Sequence, residues 1–123
     1  MIFYCPTCGL QISENVELLK DNDFTEFEYE KDCIPKGFVI IFEQIDNEEF
    51  FGCRKGDYLL NLDDMKNLQD HTISLRLVGC CGIGSGGINK LCLNGHEVGT
   101  EHSDCSMPRF FSIESAKIFD LET

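Results

Sequence analysis

The chain of 123 residues sets 22 acidic side chains against 10 basic ones, a formal net charge of −12, and 42% of it is hydrophobic, ten Phe included. Its length fits one domain, residues 1–123, with a real core but a wet surface large enough that a cross-link or bound metal would help hold it. The charge opposes nucleic-acid binding, where Lys and Arg displace counterions from phosphates. No stretch reaches the roughly 20 apolar residues of a membrane span.

The opening residues MIFYCPTC show no basic region followed by an apolar one, so a secretory signal is not expected and a cytoplasmic location is. Cytoplasmic thiols stay reduced, so the eight cysteines read as metal ligands or buried apolar residues rather than disulfides.

In chain order, Ile2-Phe3-Tyr4 reads as a short strand entering Cys5-Pro6-Thr7-Cys8-Gly9. Residues 13–20 (SENVELLK) suggest a two-turn helix with Ser13 as N-cap and glutamates at its positive end. Residues 14–32 hold eight acidic residues and two lysines, and FEYE at 27–30 has the alternation of a half-exposed strand. Pro35-Lys36-Gly37 is turn chemistry, followed by the buried-strand run Phe38-Val39-Ile40-Ile41-Phe42. Residues 46–49 suggest a hairpin loop before Phe50-Phe51. Lys55-Gly56-Asp57 makes another turn before a strand over residues 58–62. Residues 63–71 look polar and irregular, with one helical turn at most. Residues 73–78 (ISLRLV) alternate as a strand would, and Phe110-Phe111-Ser112-Ile113 closes the series. The expected fold is mainly β, α+β at most: a single small domain of antiparallel strands with a zinc-ribbon-like cysteine cluster.

Cys5-Pro6-Thr7-Cys8-Gly9 is the most specific motif. Such a turn points two thiolates at one metal ion, half of a tetrahedral zinc site. A redox dithiol would need a helix starting at the first cysteine, and Gly9 argues against one. Further ligands must come from residues 79–105, which hold Cys80, Cys81, Cys92, His96, His102 and Cys105. A strand ending at Val78 delivers Cys80 or Cys81, and a glycine-rich loop folds Cys92 back. The first choice of ligands is Cys5, Cys8, Cys81 and Cys92, with Cys80 as alternate to Cys81. His96 ranks lower because Asn94-Gly95 is a hairpin-turn signal that would leave it at an exposed tip. Cys105 ranks with it.

Cys33 and Cys53 lie beside apolar sequence and read as small buried hydrophobes. His71, in a polar connection, reads as exposed. Residues 82–87 formally match G-x-G-x-x-G, but a dinucleotide site needs a helix to follow, and INKLCLNGHEVG does not read as one. A cysteine-hydrolase reading takes Cys105 as nucleophile, His102 or His96 as base and Asp104 as orienting group. Such groups usually assemble from separate segments, and Ser103 and Asp104 look like turn residues.

The chain resembles a group of small cysteine-rich bacterial proteins that join a C-P-x-C knuckle to a G-C-C-G turn and a C-x-N-G-x-E-V-x-T-E-x-S-D-C segment. The matching residues are Cys5-Pro6-Thr7-Cys8, Gly79-Cys80-Cys81-Gly82 and residues 92–105. Where those proteins often carry Trp after the last cysteine, this chain has Ser106. The resemblance implies a structured cysteine cluster spanning nearly the whole chain. Small acidic bacterial domains of this kind include immunity proteins that neutralise partner toxins.

The leading functional expectation is therefore a non-enzymatic acidic protein with structural zinc, binding a protein partner of basic character. The alternative is a hydrolase-type enzyme with a Cys/His or catalytic zinc centre in residues 92–105. A zinc-ribbon nucleic-acid binder ranks last, because residues 79–105 contain only one basic residue, Lys90.

Overall fold

The computed structural model describes residues 1–19, 32–42, 53, 56–77, 87–104 and 107–114. Seven strands form one mixed sheet: β1 (Glu17–Leu18), β2 (Phe38–Ile41), β3 (Tyr58–Leu60), β4 (Leu68–Asp70), β5 (Lys90–Cys92), β6 (Glu97–His102) and β7 (Phe110–Ile113). Their order across the sheet is β1-β2-β3-β7-β6-β5-β4. Only β1 and β2 run parallel among the described pairs; the rest are antiparallel. The fold is mainly β, as expected.

Strand β7 is buried along its whole length and sits between β3 and β6. Successive side chains on a strand point to opposite faces, and here both faces are covered. Val39, Leu60, Phe111 and Ile113 enter one apolar cluster with Phe3, Ile12, Val16 and Val98. Their neighbours Ile40, Leu59 and Phe110 enter the other, with Ile34, Phe42 and Cys53. This double burial is why FVII and FFSI are nearly continuous apolar runs rather than alternating ones. Cys5 and Cys92 belong to the first cluster, which places the site beside it.

The turns expected at Gly37 and Gly56 form. Phe38 N–H donates to Pro35 O across Gly37 (φ 92°), and Gly56 (φ 95°) donates to Phe42 O. Ile2-Phe3-Tyr4 forms one side of a narrow ladder with residues 10–12, through the Tyr4–Gln11 bridge and the Ile12 N–H to Phe3 O bond of 2.9 Å.

Two expected elements differ. Residues 13–19 are extended, not helical: Ser13 bridges Met65, and Glu17 and Leu18 pair with Phe38 and Val39. A two-turn helix is marginal on its own, whereas the extended form lets Ile12 and Val16 reach the core. Ser13 Oγ, instead of capping a helix, is buried, accepts from Phe3 N–H at 2.8 Å and donates to Glu14 O. Of the strand expected at 73–78, residues 74–76 form a single 3-10 turn instead, with Ile73 and Leu75 exposed. Val78 lies outside the described residues, as do FEYE at 27–30, the loop at 46–49, Phe50-Phe51 and the glycines at 82–86. Strand β4 lies within the stretch read as irregular, after the short 3-10 turn Leu62–Asp64 capped by Asn61. Strands β5 and β6 occupy the place where a dinucleotide site would need its helix.

Strand β6 bends at a bulge opposite Lys90 and Leu91. Gly99, just past it, lies under the Phe111 ring: a Cβ there would meet Phe111 Cε1 and the Ser112 carbonyl oxygen at 2.5 Å each. Gly99→Ala should therefore destabilise the protein by about 1–3 kcal/mol, the usual range for overpacking. In urea unfolding this appears as a lower midpoint with an unchanged slope.

Candidate metal centre

Two turns build the site. In the first, Cys5 N–H donates to Leu10 O at 2.8 Å and Gly9 N–H returns to Cys5 O at 2.9 Å. Pro6 fixes one backbone angle of the loop, and Gly9 takes the left-handed conformation, φ 77°, that lets the chain close. The second turn joins β5 to β6 through Leu93-Asn94-Gly95. Gly95, φ 88°, donates to Cys92 O at 2.9 Å, and Cys92 N–H donates to His96 O at 2.8 Å. This is a three-residue hairpin loop ending on a left-handed glycine.

Asn67, just before β4, ties the turns together. Its side-chain amide donates to Gln11 O at 2.8 Å, and its carbonyl accepts from Leu93 N–H at 3.1 Å. It does so at φ 57°, a left-handed conformation that Asn tolerates better than most residues. Gln69 on β4 adds a bond to Cys92 O at 3.0 Å. The apolar packing of Cys5 and Cys92 supplies the rest.

Cys5, Cys8, Cys92 and His96 thereby converge, with one ligand atom from each lying within 4.8 Å of all the others. Cys8 Sγ is 3.8 Å from Cys92 Sγ, which in turn is 3.5 Å from His96 Nδ1. These four side chains could hold a metal ion. Three of the four residues expected from the sequence are present, and His96 is the fourth described member. Cys81, chosen from the sequence for that place, lies outside the described residues, as do Cys80 and Cys105. His96 follows the Asn-Gly turn as expected, but the turn directs its ring onto Cys92 rather than into water.

The centre has a dry side and a wet side. Cys5 and Cys92 are wholly buried, Cys8 is exposed and His96 half-buried. The thiols respond accordingly. Burial pushes Cys5 above the usual thiol value, its strongest opposing influence being a backbone hydrogen bond in the Cys8 turn. Cys8 is lowered from 9.0 to about 6, first by the Asn94 amide, which donates to its sulfur at 3.3 Å, then by the Leu10 backbone. Nothing in the sequence marks Asn67 or Gln69 as part of this site, or Asn94 as a donor to it. Only Asn94 carried a signal, as half of the Asn-Gly turn.

Other candidate residues are placed elsewhere. Cys53 is buried and Cys33 partly so, both against the second cluster, and burial pushes Cys33 up to about 12. These are the small buried hydrophobes expected. His71 is buried rather than exposed: its Nδ1 accepts from Ile73 N–H at 3.0 Å, so Nε2 carries the proton toward Glu97 Oε2 at 2.9 Å. His102 is buried on β6, stacked on Phe110 at 4.1 Å, with Nε2 on Ser112 Oγ at 2.9 Å and no partner for Nδ1 among the described residues. Burial lowers it from 6.5 to about 4. Ser103 donates to Glu101 at 2.7 Å, and Met107 N–H closes a turn on Asp104 O. Comparison with family models, curated proteins and solved structures returned no match.

In the folded, metal-free protein, alkylation of Cys8 by iodoacetamide should rise through a midpoint near pH 6, and Asn94→Ala should move that midpoint toward 9. Folding lowers this thiol's value, so its contribution to metal-free stability is complete above the unfolded value near 9 and is lost as pH falls through about 6.

Proposed function

We propose that the protein is a non-enzymatic binding protein whose β domain is clamped by structural zinc and whose acidic surface engages a basic protein partner. The observation carrying this reading is the convergence of Cys5, Cys8, Cys92 and His96 from two distant turns. Two thiolates about 2.3 Å from one tetrahedral ion lie about 3.8 Å apart, and a thiolate and an imidazole nitrogen about 3.6 Å apart. The distances here are 3.8 Å and 3.5 Å. Soft thiolates with one imidazole suit zinc better than hard cations that prefer oxygen. Four protein ligands leave no open position for water, which marks structural rather than catalytic zinc. Bound, the ion would fasten the N-terminal turn to the β5–β6 hairpin and contribute stability in proportion to its affinity.

Charge supports the partner. The net charge is −12. Lys66, Arg76, Lys90 and Arg109 are each already opposite a carboxylate, so the surplus is negative. Such a surface speeds association with a basic protein and makes it salt-sensitive. A toxin-neutralising immunity role in the cytoplasm is consistent with this charge and with the resemblance carried by the cysteine motifs. The enzymatic alternative in residues 92–105 is disfavoured by His102, which is buried against Phe110 and bonded to Ser112.

Zinc-loaded protein immobilised at about 50 mM salt should capture a basic protein from its native host and release it near 500 mM, where screening is nearly complete. Chelation should lower the melting temperature of the free protein. Absence of capture at low salt would contradict the partner, and an unchanged melting temperature would contradict the clamp.

A further inference from the structure

We propose that the metal centre is also an oxidant-responsive modification site, entered at Cys8 and resolved by Cys92, which releases its ion when peroxide reaches it. This inference rests on the metal-binding reading and extends it to regulation.

The geometry that points to it is the unequal burial of the three thiols. Cys5 and Cys92 have no exposed surface, so a small oxidant in water meets neither of them, whereas Cys8 stands in solvent at the lip of the site. The resolving thiol is in place: Cys92 Sγ lies 3.8 Å from Cys8 Sγ, close enough to form a bond of about 2.05 Å with a small side-chain movement. Susceptibility to oxidation follows thiolate character and exposure, and sensor cysteines stand beside a resolving thiol.

The chemistry balances with hydrogen peroxide as oxidant. The Cys8 thiolate attacks one peroxide oxygen; the S–O bond forms, the O–O bond breaks, and hydroxide leaves and takes up a proton. Cys8 is then a sulfenic acid and has given two electrons to the peroxide. The Cys92 thiolate attacks that sulfur; the S–S bond forms, the S–O bond breaks, and a second hydroxide leaves as water. In total, two thiolates, one peroxide and two protons give one disulfide and two waters. Cys5 and His96 remain as half of a tetrahedral set, too few to retain the ion. Because Cys8 and Cys92 belong to different turns, the bridge would replace the metal as the link between them.

Asn94 adjusts the rate. Its amide donates to the Cys8 sulfur at 3.3 Å and draws charge from the attacking lone pair.

The test titrates the zinc-loaded full chain with hydrogen peroxide while a chromogenic chelator reports free zinc. Zinc should leave in step with the loss of two thiols per ion. Peptide mapping should show a Cys8–Cys92 disulfide, and dithiothreitol with added zinc should restore the starting state. Cys8→Ser removes a ligand and is a poor sole control. Asn94→Ala keeps all four ligands and should release zinc roughly threefold to tenfold faster, in proportion to a lost charge-assisted hydrogen bond. Zinc that stays bound while thiols are oxidised, a first sulfenic acid trapped by dimedone on another cysteine, or an unchanged rate in Asn94→Ala would overturn the inference and leave the metal reading intact. Purified protein that carries no zinc would overturn both.

Discussion

Two sulfurs 84 positions apart in sequence, Cys8 and Cys92, stand 3.8 Å from each other, and that approach is the constraint on which the rest of the molecule depends. It is not imposed by either turn alone. The N-terminal ladder of residues 3–5 with 10–12 points one pair of thiols, and the β5–β6 hairpin points a thiol and an imidazole. Asn67 holds both turns through its side chain and its carbonyl, with its backbone in a conformation few residues adopt. The packing of Cys5 and Cys92 with Phe3, Val98 and Phe111 supplies the apolar floor. The polar groups at the rim are held against that floor, which by itself is a small core.

The unequal environment of Cys5, Cys8, Cys92 and His96 follows from where the turns meet the sheet. One side of the centre is continuous with the core, where a thiol resists ionisation, and burial accordingly raises Cys5. The other side faces water beside the Asn94 amide, which favours the anion and brings Cys8 to about 6. A cation bound there would couple the two sides, since ligation takes up thiolates and releases protons. The same split separates stability, which belongs to the buried pair, from reactivity, which belongs to the exposed sulfur.

Much of the fold was legible because its signals are local. Gly37, Gly56 and Gly95 mark real turns, and the apolar runs FVII and FFSI mark strands covered on both faces. The pairing of Cys5 with Cys8 is legible for the same reason, since a C-P-x-C-G turn brings two thiols together by itself. What failed depended on distant partners. Ser13 has the chemistry of a helix cap, yet strand β2 and Met65 offered its segment an extended partner. Ile73 and Leu75 alternate correctly for a strand, but a short 3-10 turn over Ser74–Arg76 begins directly after Ile73 instead. Strand β4 is polar because it lies at the sheet edge, and periodicity cannot mark such a strand. The Asn-Gly turn before His96 forms as its sequence signals, but it brings the ring onto Cys92 instead of leaving it at an exposed tip. What the sequence hides is that Cys8 waits across from that turn. The burial of His71 is hidden in the same way, because its partner Glu97 lies on β6.

The most direct measurement is X-ray absorption at the zinc edge on protein purified without added metal. The expected shell is three sulfurs at about 2.3 Å and one nitrogen at about 2.0 Å. Four sulfurs, which would put Cys81 or another thiol in place of His96, or a shell of oxygen and nitrogen alone, would contradict a centre closed by Cys5, Cys8, Cys92 and His96.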